Sequence, residues 1–110
     1  MNKLPRFLGI DDCRELRHCD VVARSYDEGI RALTLMGPWD CLYLDHDLNA
    51  IKNSWINDRE ATGYDIVCFL EEHPDLRPAK VVLVTSNPTG RLKMVAGLKR
   101  IYGPEYTGRE

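Results

Sequence analysis

The chain has 110 residues, enough for one folded domain and too few for two. Its hydrophobic content of 44% and charged content of 29% exclude a disordered tail, and its net charge of −2 excludes a global basic field that would draw it to nucleic acid or membranes. No window approaches the roughly 18 apolar residues that span a bilayer. The polar start Met1–Arg6 leads straight into a strand pattern and does not read as a signal peptide.

The four cysteines, Cys13, Cys19, Cys41 and Cys68, show no C-x-x-C spacing. Cys41 and Cys68 sit in apolar runs, the pattern of buried reduced thiols in a cytoplasmic protein.

In chain order, Arg6–Ile10 predicts a short strand ending in the acidic pair Asp11 and Asp12. A brief helix is expected over Arg14–His18, then a second strand over Asp20–Arg24. Ser25 and Glu28 have the spacing of a capping box, in which side chains satisfy the first free helix amides. Tyr26, Ile30, Leu33 and Met36 follow at helical spacing, and Gly37–Pro38 stops that helix. Cys41–Leu48 (C-L-Y-L-D-H-D-L) is a buried strand with Asp45, His46 and Asp47 at its C-terminal tip.

A long polar loop is expected over Leu48–Ala61. Thr62 and Asp65 resemble a second helix start. The buried face Ile66, Val67, Phe69 and Leu70 follows, and Pro74 closes it. Lys80–Thr85 is a β-branched strand. Asn87 suits the N-cap of a last helix and Pro88 its first position, where the missing N–H costs nothing.

This β-α alternation predicts an α/β fold: a three-layer α/β/α sandwich around a mostly parallel four-stranded sheet of order 2-1-3-4, as one domain over residues 1–110. In that order the first and third strands are neighbours. Their tips form the switch point where such sheets bind ligands.

Asp11 and Asp12 are therefore expected to meet Asp45, His46 and Asp47. Clustered carboxylates repel unless bridged, and a hard divalent cation such as Mg2+ is the simplest bridge. His46 suits proton transfer near neutral pH, or equally a turn histidine bonded to a carboxylate. Across from it stands Thr85-Ser86-Asn87-Pro88-Thr89-Gly90-Arg91. A helix N-terminus with free amides at Thr89 and Gly90, and with Arg91 beside them, suits an oxyanion, although an ordinary capped helix has the same sequence. Trp55, Asn57, Asp58 and Arg59 either line a base or sugar pocket or pack the loop down. Arg91, Lys93, Lys99 and Arg100 read as a solvated basic helix face.

These residues resemble the receiver domain of response regulators. An acidic pair follows strand one, a lone aspartate follows strand three and a Thr/Ser follows strand four. The resemblance is closer to the cyclic-phosphate processing receiver domains, whose L-D-H-D-L stands at Leu44–Leu48. Their T-G-Y-D stands at Thr62–Asp65 and their N-P-x-G-R at Asn87–Arg91, with Met94 beyond. One departure is clear: where that family usually carries H-S-x-N-P, this chain has Val84 in place of the histidine. No lysine stands at the end of a fifth strand, as ordinary receivers require.

The resemblance implies a metal-dependent phosphoesterase acting on a cyclic phosphate of a nucleotide or RNA end. Mg2+ would sit on Asp11, Asp12 and Asp45. Asp45, His46 and Asp47 would be the catalytic group, and Thr85, Ser86, Asn87, Thr89, Gly90 and Arg91 the phosphate-binding group. It leaves two alternatives open: a phosphoacceptor or pseudo-receiver module with a protein partner, and a binder of cyclic nucleotides without turnover.

Overall fold

In a computed structural model, residues 6–48, 55–56 and 59–110 are described. Four strands, β1 (Phe7–Ile10), β2 (Val21–Ala23), β3 (Cys41–Leu44) and β6 (Lys80–Leu83), form one parallel sheet in the order β2-β1-β3-β6. The α/β class and the expected strand order are therefore present. Register runs Leu8 to Leu42 to Val81 across the centre, with Ile10, Leu44 and Leu83 one pleat further on.

Strand alternation sorts the two faces. Leu8, Ile10, Leu42, Leu44, Val81 and Leu83 point to one side, where all three helices contribute their buried residues: α1 (Tyr26–Leu35), α2 (Gly63–Glu72) and α3 (Pro88–Tyr102). Leu8, Leu42, Ile66, Leu70 and Leu98 are fully enclosed there, each worth roughly 1.5–3 kcal/mol against exposure. Cys41, Tyr43 and Val82 point to the other side.

That second face differs from the expectation. The segment after β1 forms no helix over Arg14–His18; it is an irregular strap with a turn at residues 17–18. Leu16 and Cys19 reach down from it against Gly9, Cys41, Tyr43 and Val82. The strap is held by side-chain bonds that compete with helix formation: Asp11 Oδ1 accepts the amides of Cys13 and Arg14 at 3.0 and 2.8 Å. The sandwich thus has helices on one face and an irregular strap on the other.

Helix starts follow their side chains. Asn87 caps α3 by accepting the Gly90 amide at 2.9 Å, with Pro88 in the first turn. Thr62 and Asp65 make a reciprocal capping box on α2. At α1 the box is incomplete, because Ser25 accepts the Glu28 amide but Glu28 Oε1 accepts the amide of Arg24 rather than of the cap residue.

The loop between β3 and α2 is not wholly irregular. Trp55–Ile56 (β4) and Arg59–Glu60 (β5) pair antiparallel. The edge of β6 is covered by the C-terminal tail: Gly108 O accepts the Leu83 amide, and the Tyr106 hydroxyl bonds both the amide and the carbonyl of Val81. All four cysteines are free thiols, with Cys41 buried and Cys13 exposed. Among the described residues no helix is long and apolar enough to cross a membrane.

Candidate functional site

The tips of β1 and β3 lie side by side, because Asp45 N donates to Ile10 O at 3.0 Å. This brings Asp11 and Asp45, both buried, to one place. Between them lies a residue that sequence reasoning passed over as part of a helix. Arg14 Nη1 is 3.1 Å from Asp11 Oδ2 and 3.2 Å from Asp45 Oδ2. Arg24, from the end of β2, braces the arrangement by donating to the carbonyls of Asp11 and Arg14 at 3.2 and 2.7 Å. The signal available in the sequence was an arginine three residues after an acidic strand tip.

Burial, and then the charge of Asp11, push the Asp45 carboxyl above its ordinary range. The His46 amide, Arg14 and the Thr85 hydroxyl pull the other way without restoring it. Burial also works against the Arg14 charge, but its bonds to Asp11 and the charges of both acids outweigh that and raise its pKa. Asp12 is half-buried beside Asp11. One ligand atom from each of Asp11, Asp12 and Cys13 lies within 4.8 Å of the others, but Asp45 is not in that group.

His46 turns the other way along the rim. Its amide bonds Asp45 Oδ1 at 2.8 Å, and its ring lies flat on Gly90. A methyl group at Gly90 would stand 2.5 Å from ring carbons Cγ and Cδ2. His46 Nδ1 is 2.9 Å from Asp47 Oδ1, and the Asn87 side-chain amide is 3.4 Å from the same nitrogen. A carboxylate only accepts, so Nδ1–H donates to Asp47 and Nε2 is left as the acceptor position of the neutral ring. His18 rests edge-on against Tyr43 and His73 stacks on Phe69. Among the described residues, His46 is thus the imidazole at these strand tips.

The motifs now have physical reasons. Leu44 and Leu48 of L-D-H-D-L are core, and the residues between them form the rim. In T-G-Y-D, Thr62 and Asp65 cap α2, and Gly63 passes so close to β3 that an added Cβ would stand 1.9 Å from Asp45 O. Asp65 is also gripped by Arg59 through two bonds of 2.8 and 2.7 Å. Burial raises the Asp65 carboxyl, but Arg59 and the Thr62 amide outweigh it and hold the group below the usual carboxylate range.

The phosphate-binding group is brought together only in part. The Thr85 hydroxyl stands close enough to Asp45 to lower its carboxyl pKa, and it accepts the Asn87 amide at 3.0 Å. Ser86 and Thr89 are exposed nearby. The Gly90 amide, expected to be free, is taken by Asn87. Arg91 points away from the acids, with its guanidinium 3.3 Å from Leu83 O and 3.5 Å from Thr107 O. Val84 packs on the face of Leu16 and Tyr43.

Of the loop residues, Trp55 is exposed, Arg59 is committed to Asp65, and Asn57 and Asp58 lie outside the described residues. Of the basic helix face, Arg100 pairs with Glu71 across to α2 and Lys99 bonds Pro104 O.

A parallel sheet of this order, with acids at the tips of its two central strands, defines a receiver-like α/β domain. The family model described as "Cyclic-phosphate processing Receiver domain" matches residues 6–100, and the chain belongs to that family. Among solved structures, the chain is similar to a response regulator protein from Burkholderia pseudomallei, crystallised with a phosphorylated aspartic acid, a calcium ion and citrate. The TM-score is 0.58 at 18% identity, over 84% of this chain and 55% of that one. That likeness concerns the fold, and this chain spans about half the length of that protein. No curated protein matches the chain.

Proposed function

We infer that the domain is a metal-dependent phosphoesterase acting on a cyclic phosphate of a nucleotide or RNA end. The observation that carries this reading is the convergence, on one rim, of the buried acids Asp11 and Asp45 with His46, whose ring is oriented by Asp47 and seated on Gly90. The family's name supports the substrate class.

The donors fit a hard cation: Asp11 and Asp45 are carboxylates only, and Asp12 adds a third oxygen donor beside Asp11. Asp11, Asp12 and Asp45 would hold Mg2+, which when bound supplies Lewis-acid polarisation of a phosphate oxygen. His46 would move the proton at Nε2, because its other nitrogen is engaged by Asp47. Asp47 would stabilise the imidazolium that results. Asn87, Ser86 and the Thr89 amide would face the remaining phosphate oxygens, and Thr85 would steady Asp45. Gly90 would serve by letting the imidazole lie close. Arg91, from its present contacts, would have to turn to reach a phosphate.

The test is incubation with 2′,3′-cyclic nucleotides and with RNA ending in a 2′,3′-cyclic phosphate, in the presence of Mg2+. Ring opening by the wild type that vanishes in both Asp45→Asn and His46→Ala is expected. Hydrolysis no faster than in Asp45→Asn would overturn the reading.

A second reading has one observation in its favour: Asp45 stands at the end of the third chain strand with Asp11 and Thr85 around it, the arrangement in which receivers accept a phosphoryl group. A small-molecule phosphoryl donor followed by mass spectrometry would then give an adduct at Asp45.

A further inference from the structure

We propose that Arg14 and the divalent cation are alternative occupants of one seat between Asp11 and Asp45, so that the ion enters only as the guanidinium leaves. This rests on the reading of those two acids as ion ligands.

The first ground is steric. One nitrogen, Arg14 Nη1, stands 3.1 Å from Asp11 Oδ2 and 3.2 Å from Asp45 Oδ2. An ion bound by both oxygens would need to approach each to about 2.1 Å. Set between the same two oxygens on the Arg14 side, it would collide with that nitrogen.

The second ground is electrostatic. Asp11 and Asp45 present two buried carboxylates to the one guanidinium bonded to them, an excess of negative charge at their oxygens, with Arg24 bonded to the neighbouring carbonyls instead. That excess attracts a second cation, but the resident guanidinium repels it at close range. Exchange satisfies both demands.

The third ground is construction. The Arg14 backbone is fixed, its amide by Asp11 Oδ1 and its carbonyl by Arg24. Its side chain is 36% exposed, whereas those of Asp11 and Asp45 are 0% and 7% exposed. The guanidinium can therefore swing to solvent while the main chain and the acids stay in place.

The guanidinium thus acts as an internal competitor. It keeps the acid pair assembled before any ion arrives. It also weakens apparent ion affinity by the fraction of molecules in which it holds the seat.

The test is Mn2+ binding followed by the paramagnetic signal of the free ion, with wild type, Arg14→Gln and Arg14→Lys. Arg14→Gln is expected to bind Mn2+ about tenfold tighter or better than wild type, with Arg14→Lys near wild type. Arg14→Gln should also melt below wild type without the ion and gain more on its addition. Equal or weaker binding by Arg14→Gln, or no binding by either protein, would overturn the proposal.

Should Arg14→Gln not fold, nitrogen-15 spectra of the wild-type arginine side chains decide. Saturating Mg2+ is expected to move the Arg14 Nε–H signal to that of a solvated arginine, and an unmoved signal refutes the exchange. None of these readouts needs turnover. Failure to open any cyclic phosphate would defeat the phosphoesterase and leave the exchange standing.

Discussion

Gly63→Ala tests how the second motif places the site. The added carbon would stand 1.9 Å from Asp45 O, 2.9 Å from Asp45 C and 2.9 Å from Met94 Cε. A close carbon–oxygen contact is roughly 3.3–3.6 Å, so α2 and the tip of β3 must part by more than about 1 Å. They cannot part freely, because the Gly63 amide donates to His46 O at 2.7 Å across the same gap. Only Met94, a flexible side chain, can yield at little cost. Overpacking costs about 1–3 kcal/mol and the strained or lost hydrogen bond about 1 more. At about 4–8 °C per kcal/mol, a total near 3 kcal/mol lowers the melting temperature by about 12 °C or more. Scanning calorimetry measures the shift. A variant melting within about 2 °C of wild type would refute the reasoning, since the backbone contact would then be looser than the structure has it.

Arg59→Met removes both bonds to Asp65 and, with Arg59 half exposed, is expected to cost about 1–2 kcal/mol near neutral pH. Because Asp65 titrates below its unfolded value, its contribution is present above about pH 4 and is lost as pH falls through the folded value. The gap between wild type and variant in denaturant titrations should therefore narrow in acid, and a gap independent of pH would refute the pairing. Asp45 has the opposite sign. Its raised value means that the folded protein keeps a proton the unfolded chain has lost, so its ionisation destabilises as pH rises from about 4 through the folded value. Asp45→Asn is accordingly expected to gain stability relative to wild type across that window, and a relative loss would contradict it.

Much of the fold was legible in the residues alone. The four sheet strands announce themselves as short apolar runs, and their order follows from right-handed crossovers between parallel strands. The helices at Thr62 and Asn87 begin where their caps predict, because capping is a contact between residues three apart. The pairing of Asp11 with Asp45 follows from strand order, since adjacent parallel strands bring their C-terminal tips together. The expected helix at Arg14–His18 did not form. There Asp11 binds the amides a helix would use, and Leu16 is pulled toward Gly9 and Tyr43, contacts that depend on the whole sheet being present.

The order of elements and the motif residues were thus settled by local spacing, which the chain carries within itself. Tertiary structure alone decided where the long side chains go. Arg14 turns inward to two acids, one of them 31 positions away, and Arg91 turns outward to the β6 edge, although both are arginines beside polar turns. A guanidinium on a flexible stem reaches many partners at similar cost. Arg14 goes to the buried charges that most need an opposite one and Arg91 to main-chain carbonyls, and neither set of partners exists until distant parts of the chain have met.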